Sequence, residues 1–62
     1  MTTVTQVSDR AIEIRVDAHT SYRVSGPYDV YSLSCIAHEK PEGMSWFDWL
    51  VAKGLSFHRR LS

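Results

Sequence analysis

The sequence predicts a small α+β domain, in which an antiparallel sheet of three to four strands carries one short C-terminal helix packed across it. Three observations support that reading: period-two alternation in residues 11–17, its resumption in residues 21–24, and a helix over about residues 46–53 that is signalled at both ends.

From the N-terminus, Thr2 to Val7 is rich in Thr and Val and suits a strand, with Ser8-Asp9 as the turn that follows. Residues 1–9 and 58–62 are ends free to fray. In Ala11-Ile12-Glu13-Ile14-Arg15-Val16-Asp17, Ile12, Ile14 and Val16 point one way and Glu13, Arg15 and Asp17 the other. That is a strand with one buried face and one wet face. Asp17-Ala18-His19-Thr20 is a polar connection, and Tyr22 and Val24 turn inward on the next strand, which completes a hairpin over residues 11–24.

Ser25-Gly26-Pro27 breaks the pattern. Residues 28–37 then admit two readings. As a strand, Tyr31, Leu33, Cys35 and Ala37 share a face. As a helix capped by Ser25 with Pro27 in its first turn, Val30, Leu33 and Ala37 share a side. Periodicity does not separate these, and the residue types (Tyr, Val, Ser, Cys, Ile) favour the strand. His38 to Gly43 is a polar, breaker-rich loop.

The segment Met44 to Leu55 carries the strongest local signals. Ser45 is an N-cap, with Asp48 in the place of a capping-box acid and Met44 able to staple onto Trp49. Gly54 is the left-handed residue that ends the helix, and Leu55 folds back on Leu50. Trp46, Phe47, Trp49, Leu50 and Val51 spread over an arc of roughly 200°, where a surface helix needs an apolar stripe of only about 100°. The expected arrangement seats Leu50, Phe47 and Val51 on Ile12, Ile14, Val16, Tyr22 and Leu33, and leaves Trp46 and Trp49 at the edge of that core or outside it; the alternative places both tryptophans inside, where their large area would help so small a domain hold together. After Gly54, the alternation of Leu55, Phe57, Arg59 and Leu61 suits a final edge strand, with a helical or frayed tail as the alternative.

Sixty-two residues make one domain near the lower limit for independent folding, where a disulfide, a metal or a partner chain often supplies stability. The single cysteine, Cys35, rules out an internal disulfide and suggests a reducing compartment. The apolar fraction of 44% suits a folded chain, and no apolar run approaches the ~18 residues of a membrane span. The start MTTVTQVSDR lacks the pattern of a secretory signal. A complete small reading frame encoding a cytoplasmic protein is the expectation. The formal net charge of zero conceals a division: residues 1–52 hold four basic residues against seven acids, whereas residues 53–62 hold Lys53, Arg59 and Arg60 and no acid.

Chemistry-bearing motifs are scarce. Cys35 and His38 stand three apart, with His58 and His19 further off, but a structural zinc site brings two close ligand pairs and here only one pair is close. No Cys/His context resembles an activated nucleophile, and no glycine-rich turn lies between strand and helix. The expectation is a protein that is not an enzyme and carries no cofactor and no metal.

Binding remains. Trp, Tyr and Arg often dominate interface energies, and the chain has two Trp, three Tyr and five Arg. The candidate partner-binding residues are Trp46, Trp49, Lys53, Phe57, Arg59 and Arg60. The expected function is a small inhibitor or adaptor, of the kind encoded by phages and mobile elements, that occupies a functional surface of a larger, nucleic-acid-handling host protein. A homodimer through Trp46 and Trp49 is another use of the same surface. The alternative is a nucleic-acid-binding regulator that uses the basic tail with His58 and the hairpin residues Arg15 and Arg23, with Tyr side chains beside Arg15 to stack on bases.

Overall fold

The computed structural model describes residues 2–61 and has the predicted α+β class, with two helices where one was expected. Its elements are β1 (Thr3–Ser8), β2 (Ala11–Arg15), β3 (Thr20–Ser25), α1 (Val30–His38), α2 (Trp46–Ala52) and β4 (Ser56–Leu61). The four strands form one antiparallel sheet in the order β1-β2-β3-β4. The two helices therefore form an excursion between β3 and its neighbour β4. The tail expected as an edge strand is one. The fraying expected of the chain ends concerns, at Met1 and Ser62, positions outside the described residues.

Each turn has a local cause. Between β1 and β2, a bulge shifts the register between Gln6 and Ser8, and the Gln6 side-chain amide donates across it to the Ser8 carbonyl. Between β2 and β3, the Asp17 carboxylate accepts from the backbone N–H groups of His19 at 2.7 Å and Thr20 at 2.8 Å, an Asx turn that closes the predicted hairpin. After β3, Gly26 has φ +130°, and a Cβ there would stand 3.0 Å from the Tyr28 ring, so the break at Ser25-Gly26-Pro27 needs glycine. Tyr28 N–H then donates to the Gly26 carbonyl at 2.9 Å, a tight turn centred on Pro27.

Residues 28–37 are the main correction. The strand expected there is helix α1, and its cap is Asp29, not Ser25, with the carboxylate accepting from Ser32 N–H at 2.7 Å. Residues of modest helix propensity still form a helix when it has a good cap and a side chain to bury. Here Leu33 is fully buried, with Val30 and Ile36 packed partly against the core. Cys35, expected inward, is exposed.

The signals of α2 are realised at both ends. The Ser45 hydroxyl accepts from Asp48 N–H at 3.1 Å. Gly54 N–H donates to Val51 and Leu55 N–H to Leu50, with Gly54 at φ +73°, so the helix ends in a Schellman turn that buries Leu55 beside Leu50.

Both helices lie on one face of the sheet. The core between the layers is Ile12, Ile14, Tyr22, Val24, Leu33, Leu50 and Leu55. Among the described residues no helix is long and apolar enough to cross a membrane.

Candidate functional site

Two surfaces stand out, one on the outer side of α2 and one on the uncovered face of the sheet. The first begins with the orientation of α2. Trp46, Trp49 and Leu50 stand at i, i+3 and i+4, so they form a single stripe. That stripe faces the core: Leu50 is fully buried, and Trp46 and Trp49 are half-buried against it. The expected arrangement holds for Leu50 and for the tryptophans at the edge of the core, but Phe47 and Val51 do not cover it; they are 47% and 55% exposed.

The stripe Phe47-Leu50-Val51 has the same spacing, so spacing alone does not choose between the two orientations. The indole N–H of Trp49 helps explain the choice. It donates to the Ile36 carbonyl at 2.8 Å. This is one of the last carbonyls of α1, which lack partners within their own helix. A half-buried Trp usually finds such an acceptor, and the observed orientation supplies it.

Lysines lie over the indole rings, Lys53 Nζ at 4.8 Å from the centroid of Trp49 and Lys40 Nζ at 5.4 Å from that of Trp46. On the other side of α2, the Phe47 ring stands edge-on to Phe57 at 5.4 Å, and Phe57 edge-on to Tyr22 at 5.7 Å. Met44, Phe47 and Val51 expose apolar surface, and the aromatic chain from the core supports Phe47 within it.

The second surface follows from register. Residues that alternate with Ile12, Ile14, Tyr22 and Val24 lie on the face away from the helices. Thr5, Glu13, Arg23 and His58 stand in one row across the strands, and Thr3, Arg15, Ser21 and Arg60 in the next. Glu13 is the shared counter-charge, 3.6 Å from Arg15 Nη2 and 3.9 Å from Arg23 Nη2. Ser21, flanked in its row by Arg15 and Arg60, is buried, as expected where long arginine stems lie over a small residue. The strand positions of this face thus carry three arginines and a histidine against one acid, with Asp9 and Asp17 in the hairpin turns at its ends. Asp29, Glu39, Glu42 and Asp48 all lie on the helices or in the loops around them.

The six predicted partner-binding residues are consequently divided. Trp46, Trp49 and Lys53 form one flank of α2, and Phe57 supports its other flank. Arg59 lies on the helix-facing side of β4, opposite Tyr22, whereas Arg60 lies on the open face. That the hairpin arginines and Arg60 share a face follows from strand register and not from any local sequence pattern. The missing signal was pairing of β4 with β3. The tyrosines expected beside Arg15 are elsewhere: Tyr22 is in the core and Tyr31 projects from α1.

A depression of about 400 Å³ between β1 and α1 is lined by Thr2, Val4, Ser34, Ala37 and His38. Cys35 and His38 lie on α1, and no three His, Cys, Asp or Glu side chains converge among the described residues. No family model, no curated protein and no solved structure matches this chain.

Proposed function

We propose that this chain is a small non-catalytic protein-binding module, an inhibitor or adaptor that occupies a functional surface of a larger protein. One observation carries the reading. With only seven residues, α2 commits Trp46, Trp49 and Leu50 to the core and still exposes Phe47 and Val51, with Met44 beside its cap. Apolar side chains exposed together on a supported helix face are a common basis for partner docking. The edge-on contact of Phe47 with Phe57 holds the patch in place before binding, which reduces the ordering cost of association.

The test is affinity capture from source-organism lysate with and without nuclease, using the native chain and a Phe47→Ser/Val51→Ser variant. The expected result is a host protein retained after nuclease treatment by the native chain and lost by the variant, whose thermal melt is unchanged. Equal capture by both chains refutes the α2 surface. Partners that all vanish with nuclease refute protein binding as the primary role.

A further inference from the structure

We propose that the open face of the sheet binds the phosphate backbone of double-stranded nucleic acid without regard to sequence. This surface is separate from the outer face of α2 and does not depend on it.

The register brings together cations that are far apart in the chain. Arg15 on β2 and Arg60 on β4 flank Ser21 in one row, and Arg23 and His58 are neighbours in the next. With strands about 4.8 Å apart, the Arg15 and Arg60 backbones stand roughly 10 Å apart, and Arg23 lies one row along, about 7 Å away. The three guanidinium groups thus form a triangle within the reach of their own side chains. Guanidinium is the side-chain group best shaped for phosphate, since its planar fork donates two parallel hydrogen bonds. Glu13 lies between Arg15 and Arg23 and braces both. It leaves the face with a formal net charge of +2 from Arg15, Arg23 and Arg60 against Glu13, before any proton on His58.

What the face lacks decides between occupants. Its remaining positions are Thr3, Thr5, Ser8, Ala11, Ser21, Ser25 and Ser56, with the exposed Val7 at the bulge of the edge strand β1 its one large apolar residue. A protein interface is centred on aromatic or aliphatic anchors, and the arginine rows across β2, β3 and β4 contain none. A single-strand platform needs aromatic rings on which bases stack, and the tyrosines and tryptophans lie on other surfaces or in the core. Backbone binding needs only cations and hydroxyl donors on an accessible surface. This face supplies both, and Glu13 is the one acid at a strand position on it.

The experiment is fluorescence anisotropy of a labelled duplex of about 20 base pairs, titrated with the native chain over a range of salt concentrations. Three phosphate contacts predict a slope of log K against log salt of about −2.7, and two unrelated duplex sequences should bind alike. Arg15→Gln/Arg23→Gln/Arg60→Gln should weaken binding at least tenfold, whereas Phe47→Ser/Val51→Ser should leave it unchanged. Glu13→Gln, which removes the one opposing charge, should tighten binding; this variant decides the matter if the triple one fails to fold.

Absence of duplex binding at low salt by the folded native chain overturns the proposal. So does duplex affinity that none of the charge variants alters, or tighter binding of a single strand of equal length. If the arginine variants instead lose a captured acidic protein while duplex binding is absent, the face is a protein-docking surface and the proposal fails. None of these outcomes bears on the α2 surface, whose own test uses capture in the presence of nuclease.

Discussion

The two faces of the sheet are built from the same strands and share almost nothing else. On β2, Ile14 is fully buried, while its chain neighbour Arg15 keeps its guanidinium in water beside Glu13. On β3, Tyr22 and Val24 are in the core, while Arg23 between them lies on the open face. One residue of offset therefore separates stability from recognition. The helix-covered face holds the fold, and the open face is free to vary in charge without endangering it.

The largest effect separates adjacent residues. Ile14→Ala should cost about 2–5 kcal/mol, because it removes a fully buried side chain in a layer that two helices cannot collapse to refill. Arg15→Ala should cost about 1 kcal/mol or less, since a partly exposed ion pair 3.6 Å apart adds little. Chemical denaturation of the two variants measures both. Comparable losses would mean that the open face also supports the fold, and the division would not hold.

The division also explains which parts of the fold were legible in the sequence. Alternation in residues 11–24 identified the hairpin and assigned its inward residues, because a face wet on one side and dry on the other imprints period two directly. The cap Ser45 and the turn residue Gly54 marked α2 because capping is local chemistry. Residues 28–37 were not legible in this way. Tyr31, Leu33, Cys35 and Ala37 alternate as well as Val30, Leu33 and Ala37 recur at helical spacing, and only packing of Leu33 on the sheet chose the helix. The decisive local sign was Asp29 after Pro27, which caps α1 where Ser25 does not. The orientation of α2 was hidden for a related reason: two stripes share Leu50, and the acceptor for Trp49 belongs to the segment whose helical reading was the less favoured of two. The open basic face depended on long-range pairing of β4, to which no local pattern gives access.

A smaller effect tests how the covering layer is held. Trp49→Phe keeps most of the ring but removes the donor to Ile36, so it should cost about 1–2 kcal/mol, part of it from the carbonyl left without a partner. Ser45→Ala should cost about 1 kcal/mol through the lost cap of α2. Both losses should appear as lower midpoints with the open face unaffected. If Trp49→Phe is neutral, the indole N–H does not determine which side of α2 faces the core.

The smallest effect is ionic and arises on neither face. The carboxylates of Asp17 and Asp29 lie below the ordinary range, chiefly because the backbone N–H of His19 holds the first and that of Ser32 the second. A carboxyl group whose pKa is lower in the folded chain binds fewer protons there than in the unfolded one. Its contribution is complete above the unfolded value of about 4 and is lost as pH falls through the folded value. The melting temperature should therefore be insensitive to these two groups from neutral pH to about pH 5 and decline below about pH 4. Asp17→Asn/Asp29→Asn should keep oxygen acceptors in both turns while making that acid limb shallower. An unchanged limb would mean that these two turns do not set the acid sensitivity of the fold.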